Sequence, residues 1–164
     1  ALTGLSNRGH FQHGLEERVA SARADGSAVA IAFLIADLDH FKSINDRYGH
    51  DAGDRILKLF ADISRATTGL QAMSARLGGE EFAILLPGTG VEGAFNLTER
   101  LLQRLQREAL PHPASPVAAV VTASFGITAF GARDPDDEIH LLRRADRALY
   151  EAQQTGRNRV CLAR

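Results

Sequence analysis

Between Ala28 and Ala36 the chain is almost continuously apolar, AVAIAFLIA. Its β-branched and aromatic content predicts a strand buried on both faces. Elsewhere apolar positions recur at helical spacing. Phe41, Ile44 and Tyr48 stand at i, i+3 and i+7, and Gly49 breaks that stretch. Ile56, Leu57, Phe60 and Ile63 share one face of a helix from about Asp51 to Thr68. Val91 to Glu108 carries Phe95, Leu97, Leu101, Leu102 and Leu105 and predicts another. Ser6 or Asn7 is the expected cap of an opening helix that runs to about Asp25, where Gly26 ends it. Pro111, Pro113 and Pro116 mark a loop, and a strand is expected within Val117 to Phe130. Asp136-Asp137-Glu138 opens a last helix to about Gln154, acidic where the helix dipole favours it. Gly156 ends that helix, and Val160-Cys161-Leu162 is a short closing strand.

Two further short segments, Ala72 to Leu77 and Phe82 to Leu86, flank Gly78-Gly79-Glu80-Glu81, and Pro87 closes the second. Strand, Gly-Gly, strand reads as a β-hairpin, because glycine adopts positive φ without steric cost. The predicted order is α, β, α, α, β-hairpin, α, β, α, β. Strands and helices alternating around a mixed sheet place the chain among the α/β or α+β folds, as one domain over residues 1–164.

Composition narrows the function classes. The 164 residues suffice for a single domain with its own core. A net charge of −1 leaves no electrostatic footprint for nucleic acid, and no polybasic run supports contact with an anionic membrane. The single cysteine, Cys161, excludes an internal disulfide and reads as a structural strand residue. No apolar run approaches the roughly 20 residues that span a bilayer, and no signal peptide is visible. The chain opens at Ala1-Leu2-Thr3-Gly4-Leu5 without a methionine. The expectation is a cytoplasmic fragment of a longer, regulated protein whose sensor or membrane anchor lies upstream.

The acidic hairpin tip is the first candidate for chemistry. It holds Glu80 and Glu81 close to bare glycine backbone, which suits a divalent cation or a phosphorylated ligand; a solvated tip is the alternative. Asp37 follows the apolar strand directly, at the edge where ligand sites of open α/β sheets gather, and Asp39 comes two residues later. Carboxylates meeting at such an edge repel one another unless a cation lies between them. A hard, oxygen-liganded ion such as Mg²⁺ fits, with substrate phosphates filling its open positions. No histidine adjoins Glu80, which argues against zinc. Helix capping is the competing use of Asp37 and Asp39. Lys42 can bind phosphate as a point charge or be a solvated helix lysine. Asn45 and Asp54 supply an amide and a carboxylate, which can read a guanine edge; a turn Asn and a cap Asp are the plainer alternatives. His50 reads as a loop histidine.

These segments together resemble the GGDEF family of diguanylate cyclases over nearly the whole chain. The resemblance is carried by LTGLSNR at 2–8, DLDHFKSINDRYGHDAGD at 37–54, RLGGEEF at 76–82, SFGIT at 124–128 and ADRALYEAQQTGRNRV at 145–160. It implies a central mixed sheet wrapped by helices, similar to adenylyl cyclase and polymerase palm domains. It also implies condensation of two GTP molecules into cyclic di-GMP and two pyrophosphates. Asp37, Glu80 and the carbonyl of Leu38 would then ligate Mg²⁺, or Mn²⁺ in its place, in a two-metal site. Glu80 would also help deprotonate the attacking ribose 3′-hydroxyl, and Glu81 would support the metal and phosphate site. Asn45 and Asp54 would read guanine with His50 nearby, and Lys42 would stabilise the transferring phosphate. Gly78 and Gly79 would let the backbone lie against the nucleotide, and Arg157 would meet the terminal phosphates. Each domain holds one GTP, so a second copy of the domain is the implied partner.

Two departures qualify the resemblance. The family's product-inhibition motif, Arg-x-x-Asp, falls at Gly69-Leu70-Gln71-Ala72, where neither charged group is present. Weak or absent feedback inhibition is expected. The lysine that usually follows the motif tyrosine by three residues is Gln153 here, one cation fewer for the β- and γ-phosphates. Weaker GTP binding is expected. That substitution leaves room for a non-catalytic GTP-binding or dimerisation module. A mixed-nucleotide cyclase is disfavoured, because Asp54 is the guanine-type choice.

Overall fold

A computed structural model describes residues 2–26, 31–69, 71–131, 134–135 and 137–163. The elements are α1 (Arg8–Asp25), β1 (Ile31–Leu38), α2 (Phe41–Tyr48), α3 (His50–Thr68), β2 (Met73–Gly78), β3 (Glu81–Pro87), α4 (Val91–Arg107), β4 (Ala123–Phe130), α5 (Glu138–Gln154) and β5 (Val160–Leu162). Their order matches the expected one. The predicted strand positions 28–30, Leu70 and Asp136 lie outside the described residues.

The five strands form one sheet in the order β2-β3-β1-β4-β5. All neighbouring pairs are antiparallel except β4 and β5, which run parallel, so the sheet is mixed. β1 is central and fully apolar from Ile31 to Ala36 because both of its faces are covered. Alternate side chains of a strand point to opposite faces, and the two faces feed separate cores. Ala32, Leu34, Ala36 and Leu38 pack with Phe82, Ile84 and Phe125 against α2, α3 and α4. Phe60 of α3 closes that side over Phe82, with ring centroids 4.7 Å apart. Ile31, Phe33 and Ile35 pack with Ala83 and Leu85 against Phe11 and Leu15 of α1 and Leu141, Ala145 and Leu149 of α5. The result is three layers, α1 and α5 on one side, the sheet, then α2, α3 and α4.

Two boundaries differ from the sequence expectation. The strand expected within 117–130 begins only at Ala123. Val121 donates its N–H to the Leu110 carbonyl, and Val120 bridges to Pro111, so this apolar stretch pairs with its own loop before the chain enters the sheet. The hairpin turn is shifted by one residue. Gly78 still pairs with Glu81, which leaves Gly79 and Glu80 as the turn, with φ of 45° at Gly79. A register irregularity between Arg76 and Gly78 absorbs the extra residue. The Arg76 Nε–H donates to the Gly79 carbonyl at 3.0 Å and clamps the tip.

Candidate active site

The register of the central strand builds the site. Asp37, the penultimate residue of β1, lies opposite Glu81 on one side and Ser124 on the other. The Leu38 N–H donates to the Glu80 carbonyl at 3.3 Å, which ties the end of β1 to the hairpin tip. Asp37, Glu80 and Glu81 therefore crowd one end of the sheet. Burial pushes the Asp37 carboxyl up to about 7, and Glu80, Glu81 and Asp39 push in the same direction, while Arg157 opposes them. Such a surplus of negative charge is what a divalent cation relieves.

The donor chemistry fits a hard cation held partly by substrate. Among the described residues, no three His, Cys, Asp or Glu side chains form a preformed cage. Two carboxylates, Asp37 and Glu80, and the main-chain carbonyl of Leu38 would leave positions for water and phosphate oxygens, as Mg²⁺ requires.

Beside the carboxylates lies a cleft of about 360 Å³ lined by Phe41, Lys42, Asn45, His50, Asp54, Leu57, Arg76, Gly79 and Glu80. α2 and α3 supply one wall and the hairpin the other. Lys42 and Asn45 are one turn apart on α2, and Asp54 lies in the second turn of α3. His40, with φ of 53°, starts α2, and the ring Nε2 of buried His112 lies 3.1 Å from its carbonyl. The Asn45 Oδ1 is buried and has no hydrogen-bond partner. It packs against Gly53 of α3, where a Cβ would collide with it, so a glycine at 53 is what admits the Asn45 side chain. A larger, apolar cleft of about 540 Å³ opens between α2, α3 and the loop after α4. Its lining includes Ile44, Ile56 and Leu59, which carry no polar chemistry.

The cleft thus gathers Lys42, Asn45, His50, Asp54, Gly79 and Glu80. Gly78 ends β2 next to it, and Leu38 and Asp37 stand across the hairpin. Glu81 and Arg157 lie outside the lining. The Arg8 guanidinium lies 3.9 Å from the Glu81 carboxylate. Burial, then Asp146, raises the Glu81 pKa above its ordinary value, and Arg8 lowers it. Ser6 delivers Arg8 to that position by pairing with the backbone of Ser74 and Arg76 in β2. Arg157, in the turn between α5 and β5, lies 3.9 Å from Asp39. Gln153 is half-buried in the last turn of α5.

Asp39 is neither a helix cap nor a cluster carboxylate facing the cleft. It is 1% exposed and saturated by protein donors. Thr122 Oγ1 donates to it at 2.7 Å, Ser124 Oγ at 2.6 Å and the Asn158 N–H at 3.0 Å. Sequence reasoning assigned no role to Arg8, Arg76, Thr122 or Asn158. Only Arg76 carried a local signal, its position two residues before the Gly-Gly pair.

A family model described as "Diguanylate cyclase, GGDEF domain" matches residues 1–159. The chain is 41% identical over 162 residues to the diguanylate cyclase DgcP of Pseudomonas aeruginosa, covering 99% of this chain and 23% of that protein. It spans 34% and 43% of two further curated relatives, so it corresponds to a minor part of each. The GGDEF domain of DgcB from Caulobacter crescentus, solved in complex with c-di-GMP, superposes with a TM-score of 0.89 at 30% identity, over 99% of this chain and 94% of that one. The active GGEEF domain of a diguanylate cyclase from Vibrio cholerae gives 0.83 at 34% identity, over 98% of each chain.

Proposed function

This chain belongs to the GGDEF family of diguanylate cyclase domains, and on that premise we propose that it condenses two GTP molecules into cyclic di-GMP with release of two pyrophosphates. The observation that carries this reading is the cleft that joins an unpartnered Asn45 Oδ1 to Lys42, Asp54 and Glu80, beside the Asp37 carboxylate. The Gly-Gly-Glu-Glu-Phe signature is shared with the active domain from Vibrio cholerae.

Guanine enters between α2 and α3. The Asp54 carboxylate accepts from its N1–H and N2–H₂ donors, and Asn45 completes the pairing through its amide. Gly78 and Gly79 let the backbone approach the nucleotide, and His50 borders the base. Lys42 places a cation on the transferring phosphate. Arg157 reaches the terminal phosphates from the opposite side of Asp37. Asp37, Glu80 and the Leu38 carbonyl would hold Mg²⁺, one ion or two, with Mn²⁺ as a substitute. The bound ion supplies neutralisation of phosphate charge and acidification of the attacking hydroxyl. Glu80 takes the 3′-hydroxyl proton, the 3′-oxygen attacks the α-phosphorus of the second GTP in line, and pyrophosphate leaves. Glu81, with Arg8, buttresses the hairpin tip that carries Glu80. The two GTP molecules come from two copies of the domain.

The domain is proposed to act in the cytoplasm under an upstream regulatory segment. Among the described residues, no helix is long and apolar enough to cross a membrane. Gly69 and Ala72 stand where feedback would need charges, so added cyclic di-GMP is expected to leave initial rates nearly unchanged.

Incubation with GTP and Mg²⁺ tests the reading. Cyclic di-GMP and pyrophosphate are the expected products, and Glu80→Ala abolishes both. GTP binding without turnover, even in a forced dimer, would favour the non-catalytic module to which Gln153 points.

A further inference from the structure

The turn Gly156-Arg157-Asn158-Arg159 is held at its last three residues, and the central anchor is a buried acid the mechanism does not use. Gly156, Arg157 and Asn158 have φ of 129°, 62° and 48° in succession. Glycine takes positive φ freely and asparagine visits it readily, but arginine does not, so the surroundings must hold Arg157 there. The contacts that do so converge from three elements and from the turn after β1. The Arg157 N–H donates to the Ala152 carbonyl of α5 at 2.9 Å, and Arg159 Nε donates to the Arg157 carbonyl at 3.0 Å. The Asn158 side chain accepts from Gln106 Nε2 of α4 at 2.7 Å. The Phe125 N–H of β4 donates to the Arg159 carbonyl at 2.9 Å. The Asn158 N–H donates to Asp39, whose carboxylate Thr122 and Ser124 already hold.

We propose that Asp39 is a positioning residue. Its carboxylate, fixed by Thr122 and Ser124, locks the Asn158 backbone so that the Arg157 guanidinium stands at the Asp37 end of the sheet, aimed at the terminal phosphates of GTP. Gln106 steadies the same turn from its other side. The inference rests on the proposed contact between Arg157 and those phosphates. It assigns to the second aspartate of the Asp37-Leu38-Asp39 segment a task different from metal binding. With the usual lysine replaced by Gln153, Arg157 carries more of this task, so its placement matters more.

Ligand selectivity tests it. The α,β-methylene analogue of GTP carries all three phosphates and cannot release pyrophosphate; GMP lacks the terminal two. Binding of both is measured to Asp39→Asn, Gln106→Leu, Arg157→Ala and the Asp39→Asn/Arg157→Ala double variant, with circular dichroism to confirm folding. Arg157→Ala and Asp39→Asn are each expected to weaken the triphosphate roughly tenfold, with GMP affinity unchanged and the double variant no worse than either single one. Gln106→Leu is expected to give the same selective loss in smaller measure, and it carries the test if Asp39→Asn does not fold. If Arg157→Ala leaves triphosphate affinity intact, the proposed phosphate contact fails and the positioning role falls with it. If Arg157→Ala weakens the triphosphate but neither Asp39→Asn nor Gln106→Leu does, the phosphate contact stands and the positioning role is overturned. Equal weakening of GMP and triphosphate in Asp39→Asn also overturns it, because that is what a purely structural residue produces.

Discussion

Asp37 and Asn45 each carry a cost in the unliganded protein, and each cost forecasts a measurable response. The Asp37 carboxyl has an ordinary pKa of 3.8 and stands near 7 when folded, through burial first and then Glu80, Glu81 and Asp39. Between those values the folded chain holds a proton that the unfolded chain has lost. Asp37 therefore contributes stability that is fully present below about 4 and is lost as pH rises through about 7. In the proposed metal site Mg²⁺ would compete with that proton, so it should raise the melting temperature more near pH 8 than near pH 5. Asp37→Asn should flatten the pH dependence and remove the Mg²⁺ response. Thermal melts with and without Mg²⁺ decide this; an equal Mg²⁺ shift at both pH values, or one that survives Asp37→Asn, counts against it. Asn45 behaves differently, because its buried Oδ1 lacks a donor. Asn45→Ala removes an unsatisfied acceptor, which offsets the lost packing, so stability should change by less than about 1 kcal/mol. GTP affinity should meanwhile fall about tenfold. Calorimetry paired with a GTP titration separates the two effects, and a large loss of stability would make Asn45 a packing residue instead.

At the scale of elements, the fit between α5 and β4 sets how accurately the turn after α5 is placed. Gly126 of β4 lies beneath α5 so closely that a Cβ there would collide with the Ala145 carbonyl oxygen and the Leu149 nitrogen, both backbone. Neither atom can swing away, so Gly126→Ala must lift the helix. Overpacking of this kind costs about 3 kcal/mol, and urea denaturation should register it as a lower midpoint. A loss below about 1 kcal/mol would mean that the helix is free to shift. Gly126 belongs to the SFGIT segment read from the sequence, yet its reason is visible only once α5 is in place. The same divide separates the rest. Helix spans and the hairpin were legible because their signals are local: period, glycine breaks and proline stops. The turn shift to Gly79 and Glu80 was not, because it depends on a bulge and on the Arg76 clamp. The late start of β4 escaped for a similar reason, since the stretch from Val117 is apolar enough for a strand but Ala119 to Val121 pair with the loop after α4. The cleft residues Lys42, Asn45 and Asp54 could be named in advance because they crowd one short segment. The Asp39 latch could not, since its donors lie 83, 85 and 119 residues away.

Among the described residues the domain offers one cleft with the proposed nucleotide-binding side chains and one Asp37–Glu80 pair, whereas the proposed product, cyclic di-GMP, requires two symmetric phosphodiester bonds. Each bond needs a 3′-hydroxyl from one nucleotide and an α-phosphorus from the other, so two clefts must face each other across a two-fold axis. The net charge of −1 sets up little repulsion between copies. On the proposed reaction, the rate of the isolated domain is expected to be limited by encounter at low concentration. Specific activity should rise in proportion to protein concentration while monomers dominate, then level off once pairs do, across about a hundredfold dilution series. A parallel coiled coil fused ahead of Ala1 should abolish the dependence by raising the effective concentration of the partner. Mixing Glu80→Ala with excess wild-type domain gives a stricter check. Mixed pairs would form one bond and stall, so linear dinucleotide should accumulate beside the cyclic product. Specific activity that stays constant across the dilution series, with no linear intermediate in the mixture, would show that a single copy completes both bonds.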